Sequence, residues 1–155
     1  FPIAKKWIDD THRFCEQTGY VVNYFGRRRR LPNVWSTDKE KRAEALRQSV
    51  NAPIQSSSSD MLSLKTIGMQ KHLKDFQKRL DPRIRVVLSI HDAVFINCPE
   101  QFEQEVFSTI ISYMEEPIQG VAGVFETVRV PMAIEMKKGP SWGDMADFDI
   151  SNRSL

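Results

Sequence analysis

Apolar and polar residues alternate with several different periods along this 155-residue chain, and each change of period marks an element. In "FPIAKKWIDDTHRFCEQTG" the apolar positions Ile3, Trp7, Ile8 and Phe14 fall close to helical spacing. Gly19 is the residue type that ends helices, so this stretch predicts a helix. "YVVNYFG" is β-branched and aromatic and runs through "RRRR" to "LPN", which predicts a short strand pair, or strand and turn, with Arg27 to Arg30 exposed. Thr37 followed by Glu40 fits a capping box that opens a helix with Ala43, Leu46, Val50 and Ile54 on one face. Pro53 lacks an N–H and crowds the preceding turn, so a kink or break is expected there. Helical spacing resumes from about Ser58 to Leu80, with Met61, Leu64, Met69, Leu73, Phe76 and Leu80 as its apolar stripe, and "DPR" stops it. The serine tract at 56–59 is short and flanked by helical pattern, and reads as small residues where another chain comes close. From Ile84 the period becomes that of strands. "IRVVLSI" and "AVFINCP" leave room only for a tight turn at His91 and Asp92, which predicts an antiparallel hairpin. A helix with Phe102, Val106, Phe107, Ile110 and Met114 follows, then a last strand over "FETVRVPMAIEMK". The order predicts an α+β domain: an antiparallel sheet covered by long helices, with no internal repeat.

Length adds that one domain can bury a core without disulfides. The two cysteines, Cys15 and Cys98, lie far apart with no paired spacing, so the expected setting is reducing and cytosolic. No apolar run approaches the roughly 20 residues needed to cross a bilayer, and the N-terminus has no secretory pattern. The chain therefore reads as soluble and cytoplasmic, with no membrane partner. It begins at Phe1 rather than Met, which leaves open that it is a piece of something longer. Net charge is only +2, but it is divided unevenly. Residues 1–85 hold 18 Lys/Arg against 9 Asp/Glu, and residues 86–155 hold 4 against 11. The basic half suits a polyanion; the acidic half suits solvent or divalent cations.

Three polar constellations could carry chemistry, each with a plainer reading beside it. Asp92 at a hairpin turn commonly just hydrogen-bonds its own backbone, yet a carboxylate on a rigid sheet edge is also a Mg²⁺ ligand. His91 beside it is either a surface histidine or part of that site. Arg47, Asn51 and Gln55 recur every four residues, so on a helix they drift about 40° per step and form a polar stripe roughly 12 Å long. Such donors match the minor-groove acceptors of any correctly paired duplex, though a solvated helix face looks the same in sequence. "RRRR" is either a solvated patch or a set of phosphate contacts.

In combination and order, "GYVVNYFGRRRRLPN", "RQSVNAPIQSSSSD" and "SIHDAVF" resemble the C-terminal part of family A DNA polymerases, the bacterial polymerase I group and its phage relatives. That family carries a Gly-Tyr-Val segment leading into Gly-Arg-Arg-Arg, an Arg-x-x-x-Asn-x-Pro-x-Gln helix with an Asp five residues on, and a His-Asp hairpin. The ending "KKGPSWGDM" is similar to the Gly-x-x-Trp close of phage members, and the resemblance covers residues 1 to about 145. It implies an incomplete right-hand polymerase fold, with residues 1–35 the rear of the fingers, 36–145 half of the palm with its metal-site hairpin, and 146–155 a tail outside the match. It further implies that Asp92 is one of two palm aspartates holding catalytic Mg²⁺ and that His91 lies near the primer terminus. Arg47, Asn51 and Gln55 would contact template and primer in the minor groove. Arg27, Arg28 and Arg29 match the Arg run, for which phosphate contact and structural support are both open.

The chain departs from the pattern in two respects. Ala93 stands where a Glu usually follows His-Asp, and "QSSSSD" replaces Gln-Gly-Thr-Ala-Ala-Asp. Motif A with the partner Asp, and the O helix that binds nucleotide, are not found in these residues. The expected function is therefore the C-terminal portion of a DNA-directed DNA polymerase, acting on primer-template DNA and dNTP in a bacterial or phage-infected cell. It would need the N-terminal portion, on the same or a separate chain, and alone would not polymerise. A piece of a single-subunit RNA polymerase, which often lacks that Glu, and a non-catalytic duplex-binding module are the alternatives.

Overall fold

The structure is a computed structural model that describes residues 1–129 and 133–148. It has two compact units, one made of residues 1–63 with 119–127 and the other of 64–118 with the remainder.

The first unit opens with α1 (Pro2–Thr18), which ends as its sequence predicts: Gly19 takes a left-handed φ of 73° and donates its N–H to Cys15 O at 2.7 Å. Strands β1 (Tyr20–Val22) and β2 (Arg28–Arg30) pair antiparallel, with Val21 opposite Arg29. A turn at Pro32–Trp35 leads into α2 (Lys39–Arg79). The helix start corrects the expected capping box, because Asp38 rather than Thr37 accepts the free N–H groups, those of Glu40 at 2.9 Å and Lys41 at 3.3 Å. The helix also runs through Pro53 without a break. Burial of Ala45, Ser49 and Ala52 around the proline holds the backbone helical where propensity alone would interrupt it.

These three small residues correct the predicted apolar face as well. Ala43 and Ile54 are exposed and Leu46 and Val50 only half-buried, whereas Ala45 and Ala52 pack with Cys15, Val21, Leu31 and Val34 in the core. Small side chains suit that position because α1, β1 and the Pro32–Trp35 turn pack directly on it through Cys15, Val21 and Val34. Ser57 Oγ accepts the N–H of Tyr24 at 3.1 Å, so what comes close to the serine tract is this chain's own turn. The loop at 119–127 belongs to this unit too, with Phe125 against Phe25 at 4.8 Å between ring centroids.

In the second unit the later part of α2 buries Met69, Leu73 and Phe76 against Ile84, Val106 and Ile110. Each large side chain so buried contributes about 1.5–3 kcal/mol. Leu64 is exposed instead, and Lys65 takes the buried place at that turn, donating to Tyr113 O at 2.7 Å and Glu116 O at 2.6 Å at the end of α3 (Glu103–Glu115). These carbonyls have no helical partner of their own, so a buried ammonium satisfies them. Desolvation pushes the Lys65 pKa down. Strands β3 (Arg85–Ile90) and β4 (Ala93–Asn97) form the expected hairpin, with Ile90 opposite Ala93 and a bulge at Val87. Val86, Val94 and Ile96 press one hairpin face onto the Met69–Ile110 cluster.

Among the described residues the single antiparallel sheet expected from the sequence is not seen. The described residues make three separate two-stranded ribbons, the third joining β5 (Lys137–Lys138) to β6 (Ala146–Asp147). The last strand expected over 125–137 falls partly on 130–132, outside the described residues. In the described part, Phe125 and Val128 make isolated bridges, with Val121 and Ile118, and Lys137 belongs to β5. Gly123, at φ 75°, closes a tight loop that ends at Phe125, the first residue of the expected strand.

Candidate nucleic-acid interface and carboxylate hairpin

Arg47, Asn51 and Gln55 are all exposed on α2, while Ala45, Ser49 and Ala52 on the other side of the helix are buried. The polar stripe read from the spacing therefore exists as a solvent-facing row in the first unit. Arg47 is engaged by its helical neighbour Glu44, which also accepts from Gln48 at 2.9 Å. Those contacts hold the Glu44 carboxyl below its ordinary pKa, Gln48 first and then Arg47. An exposed pair three residues apart is weak and salt-screened, so a duplex could displace it. Arg47 and Glu44 also line a cleft of about 470 Å³ with Arg30, Pro32 and Lys41.

The arginine run divides by role. Arg28 lies over the ring of Tyr20 at 5.1 Å from its centroid, a cation–π contact that leaves the guanidinium edge in solvent. Arg29 and Arg30 are exposed. Arg27 is different: its Nε donates to Asp60 Oδ2 at 3.1 Å and a terminal nitrogen donates to Oδ1, a bidentate ion pair. Asn23 adds a donor to the same carboxylate, Nδ2 to Oδ2 at 2.7 Å. Asn23 and Asp60 were not among the site residues expected from sequence. The signal that could have found them is the α2 row Ala45, Ser49, Ala52, Ser56, Asp60, in which a carboxylate ends a stripe of small residues at helical spacing.

In the second unit, His91 and Asp92 are exposed at the two-residue turn joining β3 and β4. Among the described residues His91 is the one non-glycine with a positive φ, 52°. A positive φ at a central turn position is what two-residue hairpins favour, because it matches the twist of the flanking strands. The hairpin's other face carries Phe95, whose ring lies 4.8 Å from that of Trp142. A carboxylate on so short a turn is a suitable hard-oxygen ligand for Mg²⁺, but one ligand is not a site. Among the described residues no group of three or more His, Cys, Asp or Glu is placed to hold a metal. Nor is any described helix long and apolar enough to cross a membrane.

The family model for DNA polymerase family A matches residues 1–144. DNA polymerase I of Caldicellulosiruptor bescii is 28% identical over 142 residues, 92% of this chain and 15% of that protein. The DNA polymerase of Bacillus phage SP01 is 31% identical over 154 residues, 98% of this chain and 16% of that protein, so its alignment reaches into the tail expected to lie outside the match. Among solved structures, the POL domain of Pol1 from M. smegmatis, in complex with DNA primer-template and dNTP, is similar with a TM-score of 0.63 and 29% identity, covering 72% of this chain and 19% of that one. The chain thus spans about one sixth of the length of these curated relatives. On the match over residues 1–144, the chain belongs to DNA polymerase family A.

Proposed function

We propose that this chain is the C-terminal fingers and palm portion of a DNA-directed DNA polymerase, and that it supplies one metal-binding carboxylate and a duplex-reading stripe to a site completed elsewhere. The observation that carries the reading is Asp92, exposed at the tip of a two-residue turn whose strands are anchored on a buried cluster. Rigid presentation of a single carboxylate suits a ligand shared with other segments. The reaction is attack of the primer 3′-hydroxyl on the α-phosphate of an incoming deoxynucleoside triphosphate, with release of pyrophosphate. Mg²⁺ chemistry of this type needs oxygen ligands on both sides of the metal pair, and Asp92 is this chain's contribution. His91 lies beside the primer terminus. Arg47, Asn51 and Gln55 engage the minor groove, where donors are accepted at either orientation of a base pair. Arg28 and Arg29 face phosphates, and Arg27 has a supporting role. Residues 1–35 serve as rear fingers, 36–145 as half of the palm and 146–155 as a tail. The polymerase portion carrying motif A and the O helix is the required partner, and the chain alone does not polymerise.

That the named relatives are DNA polymerases supports deoxynucleotide rather than ribonucleotide use. The decisive experiment is primer extension by the assembled polymerase carrying Asp92→Asn. Synthesis is lost while primer-template binding stays within about twofold of the parent. Near-normal synthesis by Asp92→Asn would remove the carboxylate from the chemistry.

A further inference from the structure

Asp60 is a carboxylate only 8% exposed on the inner face of α2, and it must be compensated there. Three donors do so: Asn23 Nδ2 at 2.7 Å, Arg27 Nε at 3.1 Å and a terminal nitrogen of Arg27. The Asn23 side chain is used twice. Its Oδ1 accepts the backbone N–H of Phe25 at 3.1 Å and of Arg27 at 2.9 Å, so it shapes the β1–β2 turn while its amide holds Asp60. Ser57, one turn of α2 earlier, accepts the Tyr24 N–H. The whole turn is thereby hung on one stretch of α2. Arg27 leads directly into the Arg28–Arg30 strand, and Gln55 lies five residues before Asp60, about 7.5 Å along the helix axis.

We propose that Asp60 is a positioning residue: through Arg27 and Asn23 it fixes the arginine strand relative to the Arg47, Asn51 and Gln55 stripe, so that phosphate contacts and groove contacts fit one duplex. This rests on the polymerase reading above and adds to it a residue that touches no DNA. Arg27 then stands apart from Arg28 and Arg29, because its guanidinium is committed to the carboxylate.

The test uses the assembled polymerase and measures KM for primer-template, kcat at saturating DNA and the salt dependence of duplex binding. Asp60→Asn keeps the side chain's shape and loses the charge that orients Arg27. It raises KM about tenfold with kcat within about twofold, and costs much less in a Gln55→Ala background, since the two act on one contact surface. Arg27→Ala raises KM similarly but leaves the salt slope unchanged, whereas loss of a phosphate contact would reduce the slope by about 0.9. Arg27→Lys, a milder change at a largely exposed side chain, keeps the charge but loses the two-point fork; it gives a smaller rise in KM and guards against a variant that fails to fold. A lower melting temperature with KM unchanged in all three variants would overturn the proposal, leaving Asp60 a stabilising residue only. So would a salt slope reduced by Arg27→Ala with Asp60→Asn at the parental KM. Gln55→Ala measured alone separates the two levels. If it leaves KM unchanged, the stripe reading fails and takes this proposal with it; if it raises KM while Asp60→Asn does not, only the positioning role fails.

Discussion

Replacing His91 by glycine separates what the hairpin turn costs from what it is used for. His91 adopts a φ of 52° at the first position of a two-residue turn. Glycine is the residue that position favours, since a side chain meets steric resistance at positive φ. Holding a non-glycine residue there costs about 1–3 kcal/mol. Glycine brings its own penalty, about 0.5–1 kcal/mol of extra chain entropy in the unfolded state. The difference is a net gain of roughly 1 kcal/mol for His91→Gly. Because His91 is exposed, no buried contact is lost to offset that gain. Urea denaturation followed by circular dichroism should show a higher midpoint at constant slope. Primer extension by the assembled polymerase should fall at the same time, because a residue kept against backbone strain at a proposed active site is kept for its side chain. His91→Ala is the control: it retains the strain, so stability does not rise, and it loses the imidazole, so extension falls equally. An unchanged denaturation midpoint for His91→Gly would refute the strain argument. Higher stability with full extension would refute the role of the imidazole.

Gly19→Ala should destabilise the first unit by roughly 2–4 kcal/mol, from left-handed backbone strain plus overlap with the Trp35 ring. The added Cβ would lie 2.4 Å from Trp35 Cη2, and that ring is tethered by Nε1 donating to Glu16 O at 2.7 Å. In a Trp35→Ala background the cost should drop to about 1 kcal/mol, which a double-mutant cycle measures; an equal cost in both backgrounds would remove the ring from the account. Asp81 gives a pH prediction. The Arg83 side chain, and then its backbone N–H, hold the Asp81 pKa at about 2 against an ordinary 3.8. The folded-state value is the lower one, so the unfolded chain takes up the proton first. The contribution is complete above about pH 4 and is lost as pH falls through about 2. Asp81→Asn should flatten the acid limb of the denaturation midpoint in that window, and an identical limb would refute the pairing.

Elements whose formation depends on neighbours along the chain are legible in the sequence alone. Gly19 ends α1, the arginine strand pairs back on Tyr20–Val22, and His91–Asp92 turn a hairpin, all as the spacing predicts. The exposed row of Arg47, Asn51 and Gln55 is legible for the same reason, since helical geometry alone puts residues four apart on one side. What fails is each inference that depends on what lies opposite. Ala43 and Ile54 read as core because they are apolar and correctly spaced, yet Ala45, Ser49 and Ala52 are the buried ones, because α1, β1 and the Pro32–Trp35 turn pack on that side of the helix. Lys65 displaces Leu64 from the interior because the end of α3 presents carbonyls that only a donor satisfies. Pro53 stays within a helix because burial of Ala45, Ser49 and Ala52 on one face outweighs one missing hydrogen bond.

Local spacing is thus enough for α1, the arginine strand pair and the His91–Asp92 hairpin, and motif order for membership of DNA polymerase family A. It takes the packed chain to show that Arg27, itself largely exposed, is committed to Asp60, while Arg28 and Arg29 are not. Three identical side chains in a row carry no local difference. Their roles separate only when a buried carboxylate, 33 residues away, must find a partner.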